Sequence, residues 1–197
     1  PGLLITKSRL LVINSPGNPT GRVMQRQDIE ALAELVARHP NLLVMSDEIY
    51  EYLLADGEQH ISFASLSETL KDRCFTVNGF AKGWAMTGWR LGYLAGNATV
   101  IKAASALQSQ STSNVCSFAQ KGALVAIQGS RDCVKDMARS YNLRRDLLID
   151  GLQAIPGITL IPPKGAFYAF PQLPERVTDS MEFCRRALED EGLAVVP

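Results

Sequence analysis

The stretch CFTVNGFAKGWAMTGWRLGYLAG, residues 74–96, places one lysine among glycines and large apolar side chains. Lys82 lies two positions after Phe80 and two positions before Trp84. A surface lysine usually keeps its ammonium group in water, but these neighbours would desolvate the amine and lower its pKa. Arg90 follows eight residues later, again among apolar and small residues. The stretch therefore predicts a lysine ready to form a Schiff base, with an arginine beside it for a phosphate.

Short apolar runs before this stretch predict buried strands. Residues 10–13 (LLVI) form a wholly apolar run, which is typical of a strand buried on both faces, and residues 42–45 form a second one. Because a helical apolar pattern lies between them, the order is strand, helix, strand, which implies parallel pairing. Further strands are predicted over residues 74–77 and 91–95. The pattern predicts an α/β fold with a mainly parallel sheet flanked by helices.

Polar residues follow the first two predicted strands. The loop NSPGNPTG, residues 14–21, is too rich in proline and glycine to be a helix or a strand, and it carries Asn18. Asp47 comes directly after the second strand, and Tyr50 lies just beyond it. Ligands of open α/β sheets bind beyond the carboxyl ends of the strands. Asn18, Asp47 and Tyr50 are therefore candidate site residues.

Each candidate also has an ordinary structural explanation. Asp47 could be a solvated loop acid or a helix cap, and Asn18 could supply only turn hydrogen bonds. Tyr50 could be a half-buried aromatic residue, Arg90 could pair with a carboxylate, and Lys82 alone could be a surface lysine. The candidates gain specificity only in combination.

Composition limits the class of protein. The chain has 197 residues, 46% of them hydrophobic and 20% charged, which is typical of a globular protein. Because 20 basic residues balance 20 acidic ones, neither nucleic acid nor a membrane is predicted as a partner. Its four cysteines are far apart without a CxxC pair, so we expect a cytoplasmic protein with reduced thiols and no metal site. Both ends look cut, so we expect a piece of a longer protein.

Four motifs occur in a characteristic order: N-x-P-x-N-P-T-G at residues 14–21, S-D-E-I-Y at 46–50, K-x-x-x-M-T-G-W-R-x-G-Y at 82–93 and P-K-G-A-F-Y at 163–168. In this combination the chain resembles the class I aminotransferases, the aspartate-aminotransferase-like branch of the pyridoxal phosphate enzymes. The resemblance implies the fold-type-I architecture of these enzymes. It is greatest to the bacterial and plant group that takes aspartate and, in some members, prephenate.

The resemblance implies a role for each candidate residue. Lys82 would form the Schiff base with pyridoxal phosphate and then carry the proton that is moved in catalysis. Asp47 would pair with the pyridinium nitrogen, and Tyr50 and Asn18 would hydrogen-bond the phenolic oxygen. Arg90 would hold the phosphate through a bidentate contact. One departure is Gly79, which stands where some members carry a serine that binds the phosphate.

The implied activity is transamination between an L-amino acid and a 2-oxo acid, of the aspartate/glutamate or the prephenate type, in a homodimer of the full-length protein. Other parts of the family's site would lie outside these residues, so we expect weak or absent turnover from the 197 residues alone. Three alternatives remain: another reaction of the same cofactor, such as a cyclopropane-forming elimination; the aminotransferase-like effector domain of a transcription regulator; and a non-catalytic remnant.

The end of the chain changes character after a long helical pattern. Strands are predicted over residues 158–161 and 166–170 and from residue 193 onwards, with a helix between them, which indicates an α+β unit. With the resemblance, the predicted division is residues 1–129 as part of a large cofactor-binding domain, 130–155 as a connecting helix, and 156–197 as part of a small C-terminal domain.

Overall fold

Four strands form one sheet: β1 (Leu10–Asn14), β2 (Leu43–Asp47), β3 (Cys74–Gly79) and β4 (Gly92–Ala95). These elements come from a computed structural model that describes residues 7–197 of the chain. β1 pairs with β2, and β2 with β3, in parallel, whereas β4 runs antiparallel to β3. The predicted α/β class with a mainly parallel sheet is confirmed.

Helices join and follow these strands. In the described residues the α-helices are α1 (Arg26–Ala37), α2 (Glu68–Lys71), α3 (Ala98–Ser111), α4 (Ser117–Gln128), α5 (Asp132–Gln153) and α6 (Ser180–Glu191). α1 connects β1 to β2, as the strand–helix–strand pattern predicts. α5 has 22 residues and lies within the long helix predicted from the sequence. The N-cap of α5 is Arg131, which makes no side-chain cap, and Ser130 just before it accepts a hydrogen bond at its Oγ from the backbone N–H of Asp132 at 3.1 Å. Across residues 7–197, no helix is both long and apolar enough to cross a membrane.

One face of the sheet packs against α1. Leu11 and Ile13 of β1 pack against the buried cluster on this side, whereas Leu10 and Val12 are 50% and 54% exposed. The expectation that β1 is buried on both faces is therefore wrong for the described structure. Side chains alternate along a strand, and only the face towards α1 is covered. The buried cluster consists of Ile29, Val36, Leu42, Val44, Phe63, Leu70 and Cys74.

The strands predicted near the end of the chain are not formed. Residues 158–161 and 166–170 contain no strand, and Thr159 makes only an isolated antiparallel bridge to Gln172. Residues 193–196 likewise pair with no strand in the part of the chain that the structure describes. In the described structure, α6 is therefore the one regular element after α5, and the strand predictions for residues 158–161, 166–170 and 193 onwards are wrong.

Local chemistry explains why this segment is not extended. Pro162 and Pro163 lack the backbone N–H that a strand would donate to its neighbour. Ala166 has a φ of 58°, in the left-handed region, which turns the chain. The N–H of Ala166 donates instead to the carbonyl of Leu53 at 2.8 Å. This contact fixes the segment against the loop that follows β2.

Candidate functional site

The carboxyl ends of three parallel strands bring distant residues to one edge of the sheet. Asn14, the last residue of β1, is paired with Asp47 at the end of β2, and Asp47 is paired in turn with Val77 of β3. Asn18 lies in the loop after β1, and Lys82 lies in the loop after β3. The fold therefore carries Asn18, Asp47 and Lys82 to the edge at which α/β sheets bind ligands.

Hydrogen bonds hold the loop after β1 in shape. The side-chain amide of Asn14 donates to the Asp47 carbonyl at 3.1 Å, and its Oδ1 accepts from the backbone N–H of Asn18 at 2.7 Å. The N–H of Gly21 donates to the carbonyl of Gly17 at 2.8 Å, which closes the loop. Asn18 is thus fixed through its backbone, and its side chain is left to act on other groups.

Asp47 presents one carboxylate oxygen that has no partner in residues 7–197. Oδ1 accepts a hydrogen bond from the backbone N–H of Ile49 at 3.2 Å. Among the described residues, Oδ2 makes no hydrogen bond or ion pair. An ionised carboxylate accepts hydrogen bonds through both oxygens, so Oδ2 is available to a protonated nitrogen.

The amine of Lys82 rests against aromatic rings and not against a carboxylate. Nζ lies 5.0 Å from the centroid of the Phe167 ring and 5.6 Å from that of the Tyr50 ring. Within residues 7–197 it makes no hydrogen bond or ion pair. A cation over a ring face gains about 0.5–2 kcal/mol, which positions the amine but leaves its nitrogen open to a reaction partner.

Tyr50 is 4% exposed and shares a hydrogen bond with Tyr168, whose hydroxyl oxygen lies 2.5 Å from its own. Tyr168 also accepts a hydrogen bond of 3.4 Å from Nδ2 of Asn18. Burial raises the pKa of Tyr50, and the hydrogen bond to Tyr168 and the charge of Asp47 raise it further, while Asn18 acts in the opposite direction. Tyr50 is therefore a neutral phenol at physiological pH.

Arg90 is held by a hydrogen bond within its own loop. Its backbone has a φ of 51°, and Nη1 donates to the Thr87 carbonyl at 2.8 Å. No hydrogen bond or ion pair joins it to the other predicted site residues in the described structure. It nevertheless belongs to the same hairpin loop as Lys82, because Gly79 of β3 is paired with Gly92 of β4 on either side of that loop. The guanidinium is exposed and borders a cavity of about 790 Å³.

Two residues that contact the candidate site residues were not predicted from the sequence. Phe167 and Tyr168 belong to the motif P-K-G-A-F-Y, which contributed to the family resemblance but received no role. The motif itself is the signal that could have identified them. Lys164 in the same motif forms an ion pair with Glu58 at 2.7 Å, so its amine already has a partner.

Residues 4–197 match the family model described as aminotransferase class I and II. The chain belongs to this family. An aspartate aminotransferase of Pinus pinaster is 44% identical to it, over 96% of this chain and 41% of the relative. A bifunctional aspartate aminotransferase and glutamate/aspartate-prephenate aminotransferase of Petunia hybrida is 44% identical, over 98% of this chain and 43% of the relative. The family resemblance predicted from the four motifs is confirmed.

Comparison of structures agrees with the family assignment. The crystal structure of an aromatic aminotransferase from Pyrococcus horikoshii superposes with a TM-score of 0.94 at 38% sequence identity. The superposition covers 100% of this chain and 52% of that protein. The fold of the class I and II aminotransferases is therefore confirmed for the chain, which spans about half the length of the relatives it matches.

The residues present fit the pyridoxal phosphate that the family implies. Within the described residues, Asp47 offers a free carboxylate oxygen to a ring nitrogen, Lys82 offers an unpaired amine, and Tyr50 offers a neutral hydroxyl to an anionic oxygen. Arg90 retains guanidinium N–H groups without a partner in residues 7–197, as phosphate binding requires. The amide of Gly79 is different: it already donates to the side-chain oxygen of the preceding asparagine at 2.7 Å, so it is not free for a phosphate.

Proposed function

We propose that this protein is a pyridoxal phosphate enzyme that transfers an amino group between an L-amino acid and a 2-oxo acid. The observation that carries the proposal is the position of Lys82, whose Nζ lies 5.0 Å from the Phe167 ring with no polar partner in the described chain. An amine held in this way beside the rings of Tyr50 and Phe167 is suited to covalent attachment of an aldehyde. Membership of the aminotransferase family supports the same conclusion.

The substrate class that we propose is of the aspartate/glutamate or prephenate type. The relatives from Pinus pinaster and Petunia hybrida are named for aspartate and for aspartate with prephenate. These names support an acidic amino acid or prephenate as the substrate.

Each residue of the site has a chemical task in this proposal. When bound, pyridoxal phosphate supplies an aldehyde and an electron-accepting ring that stabilises negative charge on the carbon it activates. Lys82 Nζ would hold the aldehyde and, when released by substrate, take and return a proton. Asp47 Oδ2 would keep the ring nitrogen protonated, and Tyr50 and Asn18 would donate hydrogen bonds to the ring oxygen. Arg90 would bind the phosphate.

The organisation of the molecule is also part of the proposal. We propose residues 1–129 as part of a cofactor-binding domain, residues 130–155 as a connecting helix and residues 156–197 as part of a small domain. The length of α5, 22 residues, supports the connecting role. The resemblance to the family supports a homodimer. The absence of a disulfide among the four cysteines, all of which are free, supports a cytoplasmic location.

A visible spectrum of the full-length protein with pyridoxal phosphate tests the role of Lys82. We expect an absorption band that shifts on addition of aspartate and that is lost in Lys82→Ala, because the substitution removes the amine that binds the aldehyde. Amino transfer should fall by about a thousandfold or more, as expected when a group that moves a proton is deleted.

The matched control is Lys102→Ala on α3, an exposed lysine without a partner in the described residues. It should keep both the band and the activity. A band that persists unchanged in Lys82→Ala would show that another amine holds the cofactor, and the proposed function would then lose its main support.

A further inference from the structure

The segment that carries Tyr168 is docked onto both loops of the site. The backbone N–H groups of Lys164 and Gly165 donate to the carbonyl of Gly21 at 2.8 and 2.9 Å. The N–H of Ala166 donates to the carbonyl of Leu53 at 2.8 Å, in the loop after β2. Ala166 takes up a left-handed backbone, which costs a non-glycine residue energy and which these flanking contacts hold in place. These contacts therefore fix the positions of the next two residues, Phe167 and Tyr168.

Aromatic contacts leave the Tyr50 ring little freedom. The Phe167 ring meets it edge-on at 5.5 Å between centroids, and the Tyr168 ring meets it edge-on at 5.7 Å. Phe167 is itself stacked on Tyr141 of α5 at 5.4 Å. With the ring confined, what remains variable is the direction in which the Tyr50 hydroxyl proton points.

The number of available protons determines the direction of the Tyr50 hydroxyl proton once the cofactor is bound. A phenol has one proton to donate, and Tyr50 cannot give it both to Tyr168 and to a ring oxygen. If it donates to the ring oxygen, the 2.5 Å contact between the two phenols persists only when Tyr168 donates to Tyr50. Asn18 has two N–H groups, so it can donate one to Tyr168 and one to the ring oxygen.

We propose that Tyr168 is a positioning residue of the site described under the proposed function, on which this inference rests: it accepts a hydrogen bond from Asn18 and donates one to Tyr50, which frees the Tyr50 proton for the cofactor's ring oxygen. Hydrogen bonds in such a chain strengthen one another. Tyr168 therefore acts on the cofactor through Tyr50, from a position 118 residues later in the sequence.

The test uses Tyr168→Phe, which removes the hydroxyl and keeps the ring, in the full-length protein. Without cofactor, the Tyr50 resonance is followed by NMR of ¹³C-labelled tyrosine against pH, and it is assigned with Tyr50→Phe. Without cofactor the Tyr50 hydroxyl can donate to Tyr168, and this hydrogen bond raises the pKa of Tyr50, so we expect Tyr50 to titrate at a lower pH in the variant. With cofactor, weaker donation from Tyr50 should raise the pH at which the visible band changes by about half a unit.

The matched control is Tyr141→Phe, because Tyr141 stacks on Phe167 in the same aromatic group but its hydroxyl makes no hydrogen bond within residues 7–197. It should leave both titrations unchanged. An unchanged Tyr50 titration in Tyr168→Phe would overturn the link between the two tyrosines. A missing visible band in the unsubstituted protein would instead overturn the proposed cofactor, whatever the NMR titration gives.

Discussion

Adjacent carboxylates at the end of β2 have opposite surroundings. Asp47 keeps one oxygen without a partner in the described chain, whereas the side chain of Glu48 is 4% exposed. Ser46 and Ser62 donate to Oε1 of Glu48 at 2.8 and 2.9 Å, and His60 Nε2 lies 3.0 Å from Oε2. Successive residues at a strand end point to opposite sides. Glu48 therefore anchors the strand end on its buried side, whereas Asp47 faces the candidate site.

The buried position of Glu48 predicts a pH-dependent stability. Burial pushes its pKa up, but the hydrogen bonds from His60, Ser46 and Ser62 outweigh burial and leave the pKa below its ordinary value of 4.5. Because the folded state binds this proton less readily than the unfolded state, ionised Glu48 stabilises the fold above about pH 4.5, and this stabilisation is lost as the pH falls through the lower folded pKa. Glu48→Gln should lower the free energy of unfolding at pH 7 by about 1–3 kcal/mol.

Urea unfolding between pH 3 and pH 7 measures this effect. We expect the difference between the original chain and Glu48→Gln to shrink as the pH falls, because protonation removes the advantage of the carboxylate. Glu68→Gln is the control, since the Glu68 side chain is 90% exposed in a pair with Lys71. A constant difference at every pH would mean that Glu48 is not held as a carboxylate.

Individual site residues differ in how far sequence alone could predict them. Asp47 and Asn18 were predicted as candidates because each follows a predicted strand, and Lys82 because its sequence neighbours are apolar or small. The order of parallel strands then determines where the three residues meet. Tyr168 received no role because its contact with Tyr50 depends on how the chain returns after α5, which no local pattern encodes. Tyr50 was predicted as a site residue from the sequence, but its hydrogen-bond partner Tyr168 was identified only from the structure.

At the level of elements, the segment over residues 163–168 packs against the loop after β1 with almost no spare room. A Cβ on Gly165 would lie 2.8 Å from both Pro16 Cβ and Val23 Cγ2, and 3.0 Å from the Leu53 carbonyl oxygen. Two of these three neighbours are ring or backbone atoms that cannot move aside easily. Glycine is therefore needed at this position for close approach.

Substitution of Gly165 tests this packing. In Gly165→Ala the added methyl group should push the segment away from its loops and reduce the free energy of unfolding by about 1–3 kcal/mol. Binding of pyridoxal phosphate should also weaken, because Tyr168 and Phe167 move with the segment. Urea unfolding and a fluorescence titration with the cofactor measure the two effects.

The control for this substitution is another glycine with space around it. A Cβ on Gly151, within α5, would meet no atom within 4 Å. Gly151→Ala should raise the stability by about 0.5–1 kcal/mol, because alanine is the better helix former. Equal effects of the two substitutions would contradict the packing argument for Gly165.

Helices and strands with a clear pattern of apolar residues were predicted well, whereas the predicted strands that lack a neighbouring strand to pair with were not. α1 and α5 follow from helical spacing of apolar residues, and β1 to β4 from short apolar runs between turn residues. The runs over residues 158–161 and 166–170 look equally apolar, yet a strand also needs a neighbour to pair with. Proline on one side and the left-handed Ala166 on the other remove that possibility.

At the scale of the whole molecule, the core and the candidate site occupy different parts of the sheet. The buried cluster lies between α1 and one face of the strands, whereas Asn18, Asp47 and Lys82 lie at the carboxyl edge. Cys74 begins β3 and belongs to the cluster, with 1% of its surface exposed. The reactivity of its thiol therefore shows whether the buried cluster is intact, independently of the candidate site.

Thiol reactivity should follow this division. Burial raises the pKa of Cys74 to about 11, and the charge of Glu48 adds to the effect, so roughly one such thiol in a thousand would be ionised at pH 8. Cys116 and Cys133 are exposed. Because the thiolate is the reactive form and must also be reached by the reagent, Cys116 and Cys133 should be alkylated within minutes and Cys74 only when the core opens.

Alkylation in increasing urea, with peptides identified by mass spectrometry, tests whether the core opens as one unit. We expect labelling of Cys74 to rise at the same urea concentration at which the far-ultraviolet circular dichroism is lost, since β2, β3 and α1 share the cluster that buries it. Cys116→Ser serves as the control and should remove one fast site without moving that midpoint. Labelling of Cys74 in native buffer at the rate of Cys133 would mean that the cluster opens without unfolding, and the sheet could not then hold Asp47 and Lys82 in fixed positions.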